Sequence, residues 1–492
     1  MWNAPAAVGL PPAWLVWAGA VMDIALVSAG QTYRYFLRHV VTGDTTRPAG
    51  TDLRAAQVGA GVPAGRWTGR GLAAVGLAPG GIVTEPQLRR LFGQARHPDA
   101  DALEAARLAA GDPPAVARRA GALGRAVKRM GVELVFRPPA PVQVLWALGD
   151  EVTRRLIEAA VDRAIEPVLA EIERDAVARW GKAGIHHAHP PGGLVAAAFR
   201  HYTSRAGTPL LHVHLLLSVK CRRPDGVWGS AHTPVFFENT VAWSALFNEL
   251  VMTEVCQALG LATEPRTITQ GRRPVMELAG IPHELFHWMT VRGRHIDQRR
   301  TELERDCLTT TEADDGTTPC HPGVVSEATR TALNRIAARN RIAARQTRLP
   351  KPPQAQPLHR LRARWRADAV RCFGIAVVDG LLARARAAAA VIRARLRDVV
   401  VDVVAAAAYV TAVVAVMRRG RFHRRHLLAE AHRHFARRRC GPGSIWSSTP
   451  ATRTAPSFAV WAPARDCAAT RVRMSLMSTC PCGRRASATR RS

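Results

Sequence analysis

Tyrosine is scarce in this chain, four residues among 492: Tyr33, Tyr35, Tyr202 and Tyr409. Chemistry that needs a phenol is therefore confined to very few places. Acidic side chains are also few, 38 Asp plus Glu against 69 Lys plus Arg, for a formal charge of +31. Such an excess goes beyond what folding or solubility requires and points to a polyanionic partner, nucleic acid. Much of it lies after Arg330, in runs such as Arg418-Arg419-Gly420-Arg421. The nine cysteines lack paired spacing, and Cys480-Pro481-Cys482 has neither the two-residue spacer nor the second pair of a zinc site. This usage suits a reducing, cytoplasmic setting. No Gly-x-x-x-x-Gly-Lys-Ser/Thr occurs, which excludes a phosphate-loop motor from the chain as given.

Membrane signals are weak. Residues 11–21 are apolar but have no cationic flank upstream, which a secretory signal would need. Met22 opens a more ordinary run, so residues 1–21 read as an N-terminal extension from an upstream start. Residues 399–417 are long enough to span a bilayer, yet they are Ala-rich and carry Asp402 within and Arg close by. A packed helix is expected there, with no membrane insertion.

An apolar period near 3.6 over residues 152–180 predicts one helix, with Pro167 able to kink or divide it. Next comes a turn-rich loop with His186, His187 and His189. Two strand-like runs succeed it, 194–202 and 210–219, joined by Ser204-Arg205-Ala206-Gly207-Thr208-Pro209, a hairpin turn. Helices are expected over 241–259, stopping at Gly260, and over 281–296. The fold class is α+β, an antiparallel sheet with packed helices. The expected layout is a folded domain at 22–305, a linker at 306–358 that includes Leu349-Pro350-Lys351-Pro352-Pro353, a helical Arg-laden region at 359–439 and a disordered tail at 440–492.

The chemistry concentrates in the second strand. Alternation places Leu211, Val213, Leu215 and Leu217 on one face and His212 and His214 on the other, about 7 Å apart along the strand. His201 ends the first strand, so a hairpin in register brings three imidazoles together. Three neutral imidazoles leave a divalent metal with open positions, the pattern of a catalytic site. A nucleic-acid-binding module without catalysis and a small-molecule metal hydrolase or oxygenase remain compatible with these residues alone.

The run from Leu194 to His214, with Phe199-Arg200-His201, Ser204-Arg205-Ala206-Gly207-Thr208-Pro209 and Leu211-His212-Val213-His214, resembles the metal motif of the MobF conjugative relaxases, those with a TrwC-like relaxase domain. Tyr33-Arg34-Tyr35, Gly65-Arg66-Trp67-Thr68-Gly69, Val142 to Leu148, Pro224-Asp225-Gly226-Val227-Trp228 and Glu277 to Pro282 extend the likeness. The resemblance implies a relaxase, palm-like fold truncated before the helicase region, and a nickase that cuts single-stranded DNA at a transfer origin by tyrosine transesterification. Tyr33 and Tyr35 would be the candidate nucleophiles, Glu133 a catalytic carboxylate beside the histidines, and His201, His212 and His214 the ligands of a divalent ion (Mg, Mn or Zn). Arg66, Trp67 and Arg205 would contact DNA, and a separate helicase and a coupling protein would be further partners. The chain departs from the family where a second tyrosine pair is usual, reading Arg54-Ala55-Ala56-Gln57, and in Glu133 to Arg137 and Pro139-Ala140-Pro141, where an Asp, a Lys and serines are replaced. A catalytically degenerate DNA-binding remnant is the alternative that these losses keep open.

Overall fold

The alternation of the histidine strand continues across a whole sheet. A computed structural model describes residues 22–29, 31–43, 46–125, 127–266, 275–311, 342–343, 346–350, 356–395, 403–417 and 422–436. Strands β1 (Asp23–Ser28), β2 (Arg66–Thr68), β3 (Arg129–Phe136), β4 (Ala196–Thr203) and β5 (Pro209–Ser218) form one antiparallel sheet in the order β1-β3-β5-β4-β2. Leu211, Val213, Leu215 and Leu217 of β5 lie beside Val132, Leu134 and Phe136 of β3 in a large core on one face. Val195, Ala197, Phe199, Leu216 and Trp67 turn to the other face, where a smaller core forms with Tyr33 and Phe36 of helix α1 (Gln31–His39). Both faces are covered, which explains why β5 is almost wholly buried.

Three helices close the large core: α2 (Ala140–Leu148), α3 (Glu151–Asp175) and α4 (Pro234–Leu259). Every residue of α2 from Pro141 onward is buried, which its nearly unbroken apolar sequence requires. Asp150 caps α3 by accepting from the Thr153 amide at 2.7 Å. Pro167 does not divide α3; it lies on the exposed side, where the missing hydrogen bond faces water. The helix expected over 152–180 instead stops at Asp175, and Ala178–Trp180 forms a strand paired with His186–Ala188, a segment whose sequence reads as a loop. Helix α4 begins earlier than residue 241: the polar Asn239 and Thr240 disguise its first turns, bonding back to the carbonyls of Val235 and Phe236. It stops as expected at Gly260, whose φ of +70° is left-handed. The helix expected over 281–296 is two, His283–Met289 and Val291–Thr311, separated at Thr290 (φ −90°, ψ 45°).

The largest departure from expectation concerns the chain beyond residue 358. Helices α5 (Leu358–Phe373) and α6 (Leu381–Arg395) bring Leu361, Trp365, Ala369, Leu381 and Ala385 into the large core, where the sequence predicts a unit set apart by a linker. Arg residues interspersed with Ala on the exposed positions hide the apolar stripe at three- and four-residue spacing. Helix α7 (Val403–Met417) has 15 residues with Ala406, Val410 and Val414 buried, and α8 (Arg424–Ala436) packs on α4. No described helix is long and apolar enough to cross a membrane. The 1–21 extension, most of the 306–358 linker and the 440–492 tail with Cys480 and Cys482 lie outside the described residues.

Candidate metal centre

The hairpin of β4 and β5 sets His201 directly opposite His212, and His214 opposite Phe199. All three imidazoles therefore emerge on the face of the small core, at 1%, 4% and 8% exposure. Their ring centroids lie 4.4 to 5.0 Å apart, closer than the strand spacing of the two on β5 alone. One nitrogen from each lies within 4.8 Å of the others, and among the described residues this is the one group of three or more such side chains able to hold a metal ion. Nitrogens at about 2.1 Å from a shared ion are at most about 4.2 Å apart.

Hydrogen bonds to groups outside the cluster set which nitrogen each ring presents. His214 Nδ1 lies 2.6 Å from Glu133 Oε1 on β3, His212 Nδ1 2.8 Å from the Leu210 carbonyl, and His201 Nε2 on the Val40 carbonyl just past α1. A carbonyl or an ionised carboxylate only accepts, so each of these nitrogens carries the proton. In a neutral ring the other nitrogen then holds the lone pair: Nε2 of His212 and His214, Nδ1 of His201. This is the ligand state and the supporting arrangement that a metal-binding histidine requires. Glu133 reaches its histidine without distortion of the strand pairing, which runs unbroken from Gly131 to Phe136.

A bulge shapes the hairpin. His201 pairs with His212 but Thr203 pairs with Pro209, so Leu210 and Leu211 face the single residue Tyr202. The freed backbone of Leu211 is taken by Gln143 of α2, whose amide accepts from its N–H at 2.6 Å and donates to its carbonyl at 2.9 Å. Gln143 continues the ladder where β3 ends, next to His212. The one amide in the apolar run from Pro141 to Leu148 was the available signal for it. Nothing in the sequence marked the Val40 and Leu210 carbonyls.

The two N-terminal tyrosines occupy opposite environments, as a spacing of two on a helix demands. Tyr33 is buried against Gly93, where a β-carbon would come within 3.0 Å of its ring. Its hydroxyl has no hydrogen-bond partner among the described residues, and burial, reinforced by Glu85 and opposed by Arg89, drives its pKa far above the usual phenol value. Tyr35 is 41% exposed. Its ring lies 4.9 Å from His39, and its hydroxyl accepts from Arg205 Nη2, in the hairpin turn, at 3.1 Å. Tyr202 packs on Trp146 in the large core, its rings 5.7 Å apart, and Tyr409 lies on α7.

The family model of the TrwC relaxase matches residues 29–372. The chain belongs to the TrwC relaxase family. Among curated proteins, the multifunctional conjugation protein TraI of Escherichia coli strain K12 is 29% identical over 229 residues, 45% of this chain and 12% of that protein. A second Escherichia coli TraI is 30% identical over 166 residues, 32% of this chain and 9% of its own length. The chain thus spans about an eighth or less of the curated relatives it matches. Among solved structures, the conjugative relaxase TrwC with oriT DNA in its metal-bound form is 21% identical, with a TM-score of 0.45 over 71% of this chain and 98% of that one. Its copper-bound form gives 23% and 0.46 over the same shares.

Of the remaining positions expected to touch DNA, Arg66 is exposed and donates to the Gly80 carbonyl at 2.7 Å. Trp67 is 1% exposed in the small core, with its indole N–H on Gln87 at 3.1 Å. It anchors β2 and presents no face to a base. The alternation that buries it was hidden by a strand only three residues long.

Proposed function

We propose that this relaxase-family chain opens single-stranded DNA at a transfer origin by transesterification, with Tyr35 as the nucleophile and His201, His212 and His214 as ligands of a divalent ion. The carrying observation is the joining of these parts in one hairpin: the strands hold the imidazoles, and Arg205 in the turn between them holds the Tyr35 hydroxyl. In this reading the Tyr35 oxygen attacks the scissile phosphorus, the bond from phosphorus to the 3′ oxygen breaks, and the 5′ phosphate stays on the tyrosine while the 3′ hydroxyl leaves. Reversal of the same step reseals the strand. When bound, a divalent ion supplies charge that neutralises the phosphate oxygens in the transition state. Imidazole donors suit zinc better than magnesium, with manganese between. Glu133 keeps the His214 ring in its ligand tautomer. Arg205 and Arg66 provide cationic contacts for the backbone, and Tyr33 and Trp67 serve as packing. A separate helicase and a coupling protein complete the proposed set of partners, in the cytoplasm.

The test is covalent capture of 3′-labelled single-stranded oligonucleotides with a randomised centre, read as label migrating with protein on a denaturing gel. Tyr35→Phe is expected to remove the adduct by roughly a thousandfold or more, while Tyr33→Phe retains it. The opposite pattern refutes the assignment of Tyr35. The same gel with metal chelated shows whether capture needs the ion.

A further inference from the structure

Helix α5 lies far along the chain from the histidine hairpin, yet it holds the hairpin's turn. Trp365 Nε1 donates to the Gly207 carbonyl at 2.8 Å, and Arg364 Nη2 donates to the same oxygen at 2.7 Å. Gly207 sits at the apex of that turn with φ +72°, and a β-carbon there would come within 3.0 Å of Arg364 Nη2. Inside the turn, Ser204 and Thr208 exchange a backbone bond and a hydroxyl contact, and the Gly207 amide donates to Ser204. The turn therefore moves as one piece, and Arg205 moves with it.

The tryptophan is seated at both ends. Its ring is 2% exposed and lies 5.8 Å from Trp146, which stacks in turn on Tyr202, the residue after His201. Arg362 fixes the same helix to the junction of α2 and α3 through the Gly149 carbonyl and Glu151. A carbonyl accepting two donors, one of them charged and one buried, is held more firmly than packing alone would hold it. The second terminal nitrogen of the Arg205 guanidinium, Nη1, donates to the Leu349 carbonyl, ahead of α5, at 3.3 Å.

We infer that Trp365 and Arg364 are positioning residues of the candidate site: through the Gly207 carbonyl they fix the turn that sets Arg205 against Tyr35. They touch neither the imidazoles nor the tyrosine. The catalytic half of this inference rests on the transesterase reading, whereas the holding of the turn does not. Displacement of a reacting group by about 1 Å costs up to about a hundredfold in rate, so a loosened turn lowers the rate of attack with the metal ligands untouched.

The test uses the full chain carrying Trp365→Phe with Arg364→Gln, which keeps an aromatic ring in the core and removes both donors. Arg364→Gln alone, at an exposed position, serves as the variant whose folding is not at issue. Hydrogen exchange should rise by about tenfold at the Ser204 and Gly207 amides and not in β3. Adduct formation should slow by roughly five- to fiftyfold, with cobalt binding by absorbance unchanged. In an Arg205→Gln background the same double change should add nothing to the loss. Unchanged exchange in the turn overturns the inference whatever the catalysis, and losses that multiply in the Arg205→Gln background overturn the route through Arg205. A wild-type chain that forms no adduct defeats the transesterase reading instead, while the exchange result still decides whether the turn is held.

Discussion

The two faces of the five-stranded sheet obey the same alternation and do opposite work. On one, Leu211, Val213, Leu215 and Leu217 meet helices and carry no chemistry. On the other, His212 and His214 interrupt the apolar series one residue away and gather His201 and Glu133 around them. Burying three imidazoles and a carboxylate is costly unless each polar atom is satisfied. One nitrogen of each imidazole meets an acceptor from a separate piece of chain, at Val40, Glu133 and Leu210. The large core tolerates error that this face does not, because a methyl lost from the core weakens packing, whereas an acceptor lost from the site changes a protonation state.

Adjacent substitutions on β5 should expose that contrast most sharply. His214→Ala should abolish stoichiometric divalent binding, followed by calorimetry, and reduce adduct formation by roughly a hundredfold or more. Leu215→Ala, its neighbour on the other face, should cost about 2–5 kcal/mol in denaturant unfolding and leave metal affinity of the folded protein intact. If both variants lose metal equally, the two faces are not independent. A smaller effect is expected from Glu133→Gln, which keeps shape but removes the charge behind His214: metal affinity should fall about 10- to 100-fold with little change in unfolding midpoint. The smallest lies in the large core, where burial raises the Cys221 thiol from 9.0 to about 12. Its ionisation is resisted only in the folded state, so the stability it contributes is present below pH 9.0 and declines as pH rises toward 12. Comparing unfolding at about pH 8 and about pH 10, Cys221→Ala should lessen the decline by about 1 kcal/mol. An identical decline in both proteins would place the alkaline sensitivity elsewhere.

Sequence periodicity made the hairpin, the facing of its histidines and the apolar opposite face legible, because a two-residue period and a short turn fix register locally. Separating Tyr33 from Tyr35 was beyond it, since that depends on where α1 lands, on Gly93 to one side and on Arg205 to the other. Trp67 is deceptive for a related reason: an indole suits a base stack or a core equally well, and only its strand partner, Ala197, decides. The bulge at Tyr202, with Gln143 as its counterpart, and the reach of α5 to Gly207 join residues that no local pattern relates.

The carbonyl of Gly207 and the indole that binds it are 158 positions apart in the chain. At a synthesis rate of 5 to 20 residues per second, the histidine hairpin leaves the ribosome roughly ten to thirty seconds before its clasp exists. Through that interval a nascent chain has all three clustered histidines but lacks the helix that holds the turn, so on the proposed reading the site is complete only late in translation.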